Sequence, residues 1–308
     1  MSSLPLLSPA DRESLLRLQI LARKVVESVH TGMHRSPHKG TSAEFREHRP
    51  YVRGDEIRSL DWNLYGKTDR LYVRQYEDET NLRAIILVDQ SGSMKYSGTR
   101  SQITKHQYAV RLAACLATLL ISQQDSVGLA LYDAQLREFM AARSHPSHLS
   151  TLCAALVKSQ PAGNSQLHNV VHQLTPRMPK RGLVFLVSDL FEDSPQLLSS
   201  LQHLRRRQCE VVVFQVWDPD ELDFPFRRLT QFQSLESANE AHVLDPIAVR
   251  RAYLERLAEF RSRLAETFAA EGIDCLECIS DQPQAEILAN YLVRRGNPGK
   301  RRMRGTAR

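Results

Sequence analysis

The sequence predicts an α/β fold, a doubly wound, mostly parallel sheet with helices on both faces, preceded by an N-terminal segment of different character. Three observations predict it. Ala84 to Val88, Leu183 to Val187 and Glu210 to Val216 are apolar runs rich in branched residues, the pattern of strands buried on both faces. Helix-length segments separate these runs, as crossover connections between parallel strands require. The first two runs end in acid-bearing loops, Asp89 and Asp189, at the strand ends where open α/β sheets bind ligands.

The elements follow in order. Ser8-Pro9-Ala10-Asp11 reads as a helix start, with Ser8 as cap and Pro9 in the first turn. Leu15, Leu18, Leu21, Val25 and Val29 recur at helical spacing, so the helix is expected to run to about Val29 and to pack by one face. His30 to Lys39 is a polar, basic link, and its three histidines lack acidic or cysteine company, so a solvated loop is expected. From Glu44 to Glu79 aromatic residues alternate with charges. Arg53-Gly54-Asp55 within it reads as a turn, and Leu71 to Tyr76 as a strand. Ser101 to Gln123 is a predicted helix, followed by a hairpin of Ser126 to Tyr132 and Gln135 to Met140 about Asp133-Ala134. Helices are expected over His148 to Lys158, Gln166 to Leu174, Pro195 to Arg207, Pro246 to Glu271 and Gln284 to Arg294. Short strands are expected near Thr230–Leu235 and Ala241–Leu244, and a further strand over Ile273 to Ile279. These readings divide the chain into residues 1–81, the main α/β domain over 82–296, and a basic tail over 297–308.

Composition bounds the function classes. With 308 residues, 42% apolar and 25% charged, the chain has the make-up of an ordinary globular protein. The run Leu112 to Ile121 is too short to span a bilayer, and no secretory signal is visible at the N-terminus. Five scattered cysteines fit a reducing compartment, so a cytoplasmic protein is expected. The net charge of +6 is local: Arg294 to Arg308 holds seven basic residues and no acid, leaving the remainder near −1. A disordered solubilising tail is the expectation there, with nucleic-acid binding as an alternative. Aromatics interleaved with Arg before residue 80 could stack on bases, but the acids among them oppose a phosphate-tracking surface. No Gly-x-x-x-x-Gly-Lys-Ser/Thr or Gly-x-Gly-x-x-Gly occurs, so no nucleotide site is expected. Cys275 and Cys278 have the spacing of a metal knuckle but lie in a predicted strand, where residues three apart face opposite ways.

The stretch that organises the chain is Asp89-Gln90-Ser91-Gly92-Ser93, directly after a buried strand. If the loop stays extended, one carboxylate and two hydroxyls point the same way. Hard oxygens gathered like this suit Mg²⁺, which keeps open positions for water or a partner. An ordinary turn is the competing reading, since Asp, Ser and Gly are common turn residues. Further ligands would come from neighbouring strand ends or loops: Asp189, and Ser165 or Asn164 in the turn before a helix. A Ser-His-Asp arrangement through His106 lacks a Gly-x-Ser-x-Gly elbow and an oxyanion-hole motif.

Asp89, Ser91 and Ser93, with a later hydroxyl loop and the strand-ending Asp189, resemble the metal-ion-dependent adhesion site of von Willebrand factor A domains. Ser165 stands where that family generally has Thr, keeping the hydroxyl. Glu44-Phe45, Arg49, Tyr51, Gly54-Asp55, Arg58, Asp61-Trp62 and Tyr76-Glu77 resemble the signature of the domain-of-unknown-function family fifty-eight, whose members carry an A-type domain right after it. The resemblance runs from about Ser36 to Ile279. It implies a metal site of Asp89, Ser91, Ser93, Ser165 and Asp189, holding Mg²⁺ or Mn²⁺. It also implies a non-enzymatic adaptor that captures an acidic side chain of a partner. Members are typically encoded beside MoxR-type AAA+ ATPases, which implies a partner in a chaperone-like system that matures or remodels protein complexes. A metal-dependent hydrolase using the same site is the alternative, but the sequence offers no convincing general base.

Overall fold

The structure, a computed structural model, describes residues 9–34, 48–50, 65–66, 70–74, 82–178, 181–191, 195–236 and 241–296. The chain divides into two compact units, one of residues 1–35 with 82–308 and a small one of residues 36–81. In the small unit, β1 (His48–Pro50) pairs antiparallel with β2 (Tyr72–Arg74), which falls inside the predicted strand Leu71 to Tyr76. Most of the stretch Glu44 to Glu79, including the Arg53-Gly54-Asp55 turn, lies outside the described residues, as do Ser8 and the tail 297–308.

The large unit opens with α1 (Pro9–His34) and continues with β3 (Arg83–Asp89), α2 (Lys105–Ser122), β4 (Ser126–Tyr132) and β5 (Leu136–Arg143). Next come α3 (Pro146–Lys158), α4 (Leu167–Leu174), β6 (Leu183–Ser188), α5 (Pro195–Arg206) and β7 (Glu210–Trp217). It closes with α6 (Pro219–Asp223), β8 (Thr230–Gln233), β9 (Ala241–Leu244), α7 (Pro246–Glu271), β10 (Asp274–Ile279) and α8 (Gln284–Gly296). Among the described residues no helix is long and apolar enough to cross a membrane.

The central sheet has the order β10-β7-β6-β3-β4-β5. All neighbours are parallel except β4 and β5, the predicted hairpin, which pair antiparallel. Val88 is in register with Val187, and Val187 with Phe214, so β3, β6 and β7 end at one edge of the sheet. Successive residues of a strand face opposite layers. Ala84, Ile86 and Val88 therefore join a core with α1, α2, α3 and α8, while Ile85 and Leu87 join a second core with α4, α5 and the end of α7. Small residues on α2, Ala109, Ala113, Ala114 and Ala117, are all buried and bring that helix close to the sheet. The same alternation separates the two cysteines of β10. Cys278 packs into the first core and Cys275 against the second, and both are free thiols.

Helix ends depart from expectation for local reasons. α2 starts at Lys105 rather than Ser101, because Thr104 caps it. The Thr104 hydroxyl accepts from the Gln107 N–H at 3.1 Å and the Gln107 side chain accepts from the Thr104 N–H at 3.2 Å. α1 continues five residues past Val29, into the first half of the stretch expected to be a loop, whose remainder, residues 35–39, lies outside the described residues. α7 matches its predicted span, with Asp245 as cap, Pro246 at the first position, and Gly272 in the left-handed region ending it.

Candidate metal centre

Asp89 is the last residue of β3 and is fully buried. The loop after it is not extended. Ser91 has extended backbone, but Gly92–Lys95 forms a 3-10 turn, which brings the Ser91 and Ser93 hydroxyls to 3.1 Å by winding rather than by alternation. The turn is pinned on both sides. Gln90 N–H donates to the Tyr132 carbonyl at 2.6 Å, Gly92 N–H to the Gly163 carbonyl at 2.6 Å, and Ala162 N–H to the Gln90 carbonyl at 2.7 Å. These bonds zip the loop before α4 against the loop after β3 and so deliver Ser165.

Asp89 collects the donors. Its Oδ1 accepts from the Ser91 N–H at 2.7 Å; its Oδ2 accepts from the Ser188 hydroxyl at 2.6 Å and the Ser165 hydroxyl at 3.2 Å. Of the two residues proposed for that turn, Ser165 reaches Asp89, whereas Asn164 is exposed. Burial, and then the nearby charge of Asp189, push the Asp89 carboxyl up from its ordinary 3.8 to about 6, against the hydrogen bonds from Ser188 and Ser91.

Asp189 stands at the same sheet edge but spends its oxygens differently. Oδ2 accepts from the Lys105 ammonium at 2.8 Å, and Oδ1 from the Phe191 N–H at 3.3 Å. Leu190 between them takes φ 58, a left-handed conformation uncommon outside glycine, at the point where the chain turns away from the site. Lys105 is fully buried and also donates to Glu221 Oε1 at 2.6 Å. Burial pulls its pKa down, but Asp189 and Glu221 outweigh it and hold the ammonium above its usual range. Its charge also lies 4.7 Å from the centre of the Phe191 ring. Glu221 in turn closes a capping box at α6, with Oε2 accepting from the Asp218 N–H at 2.8 Å.

Sequence reasoning missed three participants. Ser188, beside Asp189, donates the shortest hydrogen bond to Asp89; its signal was a hydroxyl at the end of a buried run. Lys105 gave none, because a lysine at a helix start reads as a solvated charge. Glu236, far along the chain, follows Leu235, whose carbonyl packs against Gly92 of the turn. Burial and the charge of Asp189 raise its pKa. His106 is turned elsewhere: its Nε2 lies 3.0 Å from the Ser159 hydroxyl, and burial lowers the imidazole to about 4.

The donors around Asp89 are hard oxygens of the kind Mg²⁺ and Mn²⁺ take. Asp89, Ser91, Ser93 and Ser165 are joined through two short hydrogen-bonded groups, with Asp189 acting on them by its charge. The set fits a cation in donor chemistry. Among the described residues no group of three or more His, Cys, Asp or Glu gathers to hold a metal, so hydroxyls dominate it.

The family model described as "Protein of unknown function DUF58" matches residues 47–263. The chain belongs to the DUF58 family. The match includes β1 to β9 and all five residues of the cluster. Uncharacterized proteins of Mycobacterium bovis and Mycobacterium tuberculosis are 24% identical to this DUF58 chain over 291 residues, covering 93% of it and 90% of their own length. Among solved structures, BatB from Bacteroides thetaiotaomicron aligns at 12% identity with a TM-score of 0.43, over 69% of this chain and 98% of that one. An aerotolerance-related membrane protein from Bacteroides fragilis aligns at 13% identity with a TM-score of 0.45, over 70% and 98%.

Proposed function

We propose that this DUF58 protein is a von Willebrand factor A-like adaptor that binds a protein partner through a divalent cation, Mg²⁺ or Mn²⁺. Asp89, Ser91, Ser93 and Ser165 would hold the ion, with Asp189 adding charge. The observation that carries the reading is Asp89 itself. It is a fully buried carboxylate at the edge of a parallel sheet, and its hydrogen-bond partners are neutral hydroxyls and one backbone N–H. The cation nearest in the network, Lys105, is already shared between Asp189 and Glu221. Holding such a group costs stability without a counter-charge and has a direct use with one. When bound, the ion supplies an open coordination position that a partner's Asp or Glu can complete.

The chain's own residues divide the work. Ser188 and the Ser91 N–H orient Asp89. The 3-10 turn sets the Ser91–Ser93 pair, and Lys105 holds Asp189 and α6 in place. Lys105 stays protonated and His106 is turned to Ser159, which supports binding rather than proton transfer. The partnership with a MoxR-type AAA+ ATPase, and a role in maturing or remodelling complexes, rest on the family resemblance.

The test is calorimetric titration of Mg²⁺ and Mn²⁺ into wild type and Asp89→Ala, with capture of partners from the native cell in Mg²⁺ and in chelator. Saturable metal binding that Asp89→Ala abolishes, and chelator-sensitive capture, are expected. Equal capture in Mg²⁺, in chelator and by the variant would rule out the metal as the contact.

A further inference from the structure

An apolar recess lies between α7 and the β8–β9 hairpin and encloses about 590 Å³. Five rings wall it: Phe191 after β6, Phe224 at the end of α6, Phe232 on β8, and Tyr253 and Phe260 on α7. The walls are braced from behind. Phe224 stacks on Phe232 at 5.7 Å between ring centres and meets Tyr253 at 4.6 Å, and Phe191 stacks on Phe260 at 6.2 Å. The Tyr253 hydroxyl donates to the Glu221 carbonyl at 2.9 Å. The Arg250 guanidinium donates to the Asp223 and Phe224 carbonyls at 2.8 and 3.1 Å. Side chains held in this way do not collapse to close the space, so apolar surface stays open to water.

We infer that this recess docks a protein partner through a segment in which a large apolar side chain stands beside an acid. Charge complementarity names the acid. Arg256 is the one charged residue in the lining. It is exposed and enters no hydrogen bond or ion pair among the described residues, whereas Arg250 is spent on carbonyls, Arg251 on Glu255 and Arg261 on Glu277. A carboxylate on the partner supplies the missing counter-charge. The surroundings name a protein rather than a small molecule. Small ligands are mostly enclosed by their pockets, but Phe191 and Leu244 in this lining remain 41% and 39% exposed. Six of the eleven exposed large apolar side chains among the described residues are Phe191, Leu229, Leu235, Val243, Leu244 and Ile247, on the hairpin, its flanks and the recess wall. Apolar exposure concentrated in this way, around a pocket of aromatic rings, marks a surface that another protein covers. Phe191 follows Asp189 by two residues and lies under the Lys105 ammonium, so a partner seated here stands beside the candidate metal centre. The recess holds its occupant without the ion.

The test uses the full chain in chelator, so that failure of the metal reading cannot imitate failure at the recess. The probe is a synthetic peptide of glycines and serines around a fluorophenylalanine–aspartate pair, read by fluorine NMR line broadening, with unlabelled peptides as competitors. Binding at about 1 mM is expected for a single anchor. Alanine in place of phenylalanine should weaken competition about tenfold, and asparagine in place of aspartate about threefold. Ala252→Phe places a ring in the lining and should abolish binding. Arg256→Gln should erase the preference for aspartate over asparagine and keep the preference for phenylalanine. Both positions are exposed on α7, so melting temperatures equal to wild type are expected and report folding. Failure of wild type to bind the probe, binding that survives Ala252→Phe, equal competition by the alanine peptide, or an aspartate preference that survives Arg256→Gln would each overturn the inference. Decanoate competing about tenfold better than the peptide would assign the recess to an acyl carboxylate instead. A dimer in sedimentation that Ala252→Phe dissolves would assign it to a second copy of the chain. Either result overturns docking of a partner segment.

Discussion

At the scale of single residues, Asp89 costs the folded chain stability through the burial of its carboxylate. Its folded pKa, about 6, lies above the ordinary 3.8, chiefly because burial disfavours the charge. Below 3.8 the carboxyl is protonated in both folded and unfolded chains, and no penalty exists. As pH rises from 3.8 to 6 the unfolded chain releases its proton first, so stability is lost across that window and stays lost above it. Asp89→Asn should therefore stabilise the metal-free protein at pH 7 by about 2–3 kcal/mol, a gain that fades to nothing near pH 4. Denaturant unfolding in chelator at both pH values is the check; a loss of stability at pH 7 would mean that the hydrogen bonds from Ser188 and Ser91 outweigh the desolvation. Asp89, Ser91, Ser93, Ser165 and Asp189 could be named from the sequence because they stand at the ends of two buried runs or in a turn before a helix. Lys105 could not, since nothing in a lysine at a helix start marks it as buried between Asp189 and Glu221.

At the scale of elements, Lys105 joins three of them. It is the first residue of α2, it holds the end of β6 through Asp189, and it holds α6 through Glu221. Both acids are largely buried. Removing the ammonium leaves two carboxylates without their shared counter-charge, the costly way to break a buried pair. Lys105→Met should lower stability at pH 7 by about 3–5 kcal/mol. Adding Glu221→Gln should restore part of the loss, measured as a double-mutant cycle in urea. Additive losses would mean that Lys105 acts only through its packing over the rings of Phe191 and Tyr96, whose centres lie 4.7 and 5.9 Å from its ammonium. The sheet was far more legible than these ties. The cores of β3, β6 and β7 are unbroken apolar runs, and their pairing follows from burial on two faces. Helix ends were less so. The end of α1 passes through polar residues that carry no periodic signal, and the start of α2 is set by a Thr104–Gln107 capping box rather than by hydrophobic pattern. The turn after Asp89 does not continue the strand alternation, because the backbone bonds to Gly163 and Tyr132 and the 3-10 turn over Gly92–Lys95 wind it.

At the scale of the whole molecule, a ligand that binds only the folded chain stabilises all of it by mass action. The five proposed donors come from the ends of β3 and β6 and the loop before α4, so they converge only when the sheet has formed. Mg²⁺ at a hundred times its dissociation constant should add about 2.7 kcal/mol to wild type, a rise of about 5–10 °C in melting temperature for a domain of this size. Asp89→Asn should begin from a higher melting temperature in chelator and show no response to Mg²⁺, crossing below or meeting wild type as the metal is raised. Protons compete for the same carboxylate. At pH 5, one unit below the folded pKa of about 6, apparent affinity falls about tenfold and the Mg²⁺-induced gain at that same concentration shrinks to about half. Scanning calorimetry of both proteins at pH 5 and pH 7.5, with Mg²⁺ and with chelator, reads all of these shifts together. An Mg²⁺ rise of equal size at the two pH values, or one that survives in Asp89→Asn, would place the ion away from Asp89 and end the case for this edge of the sheet as the metal centre.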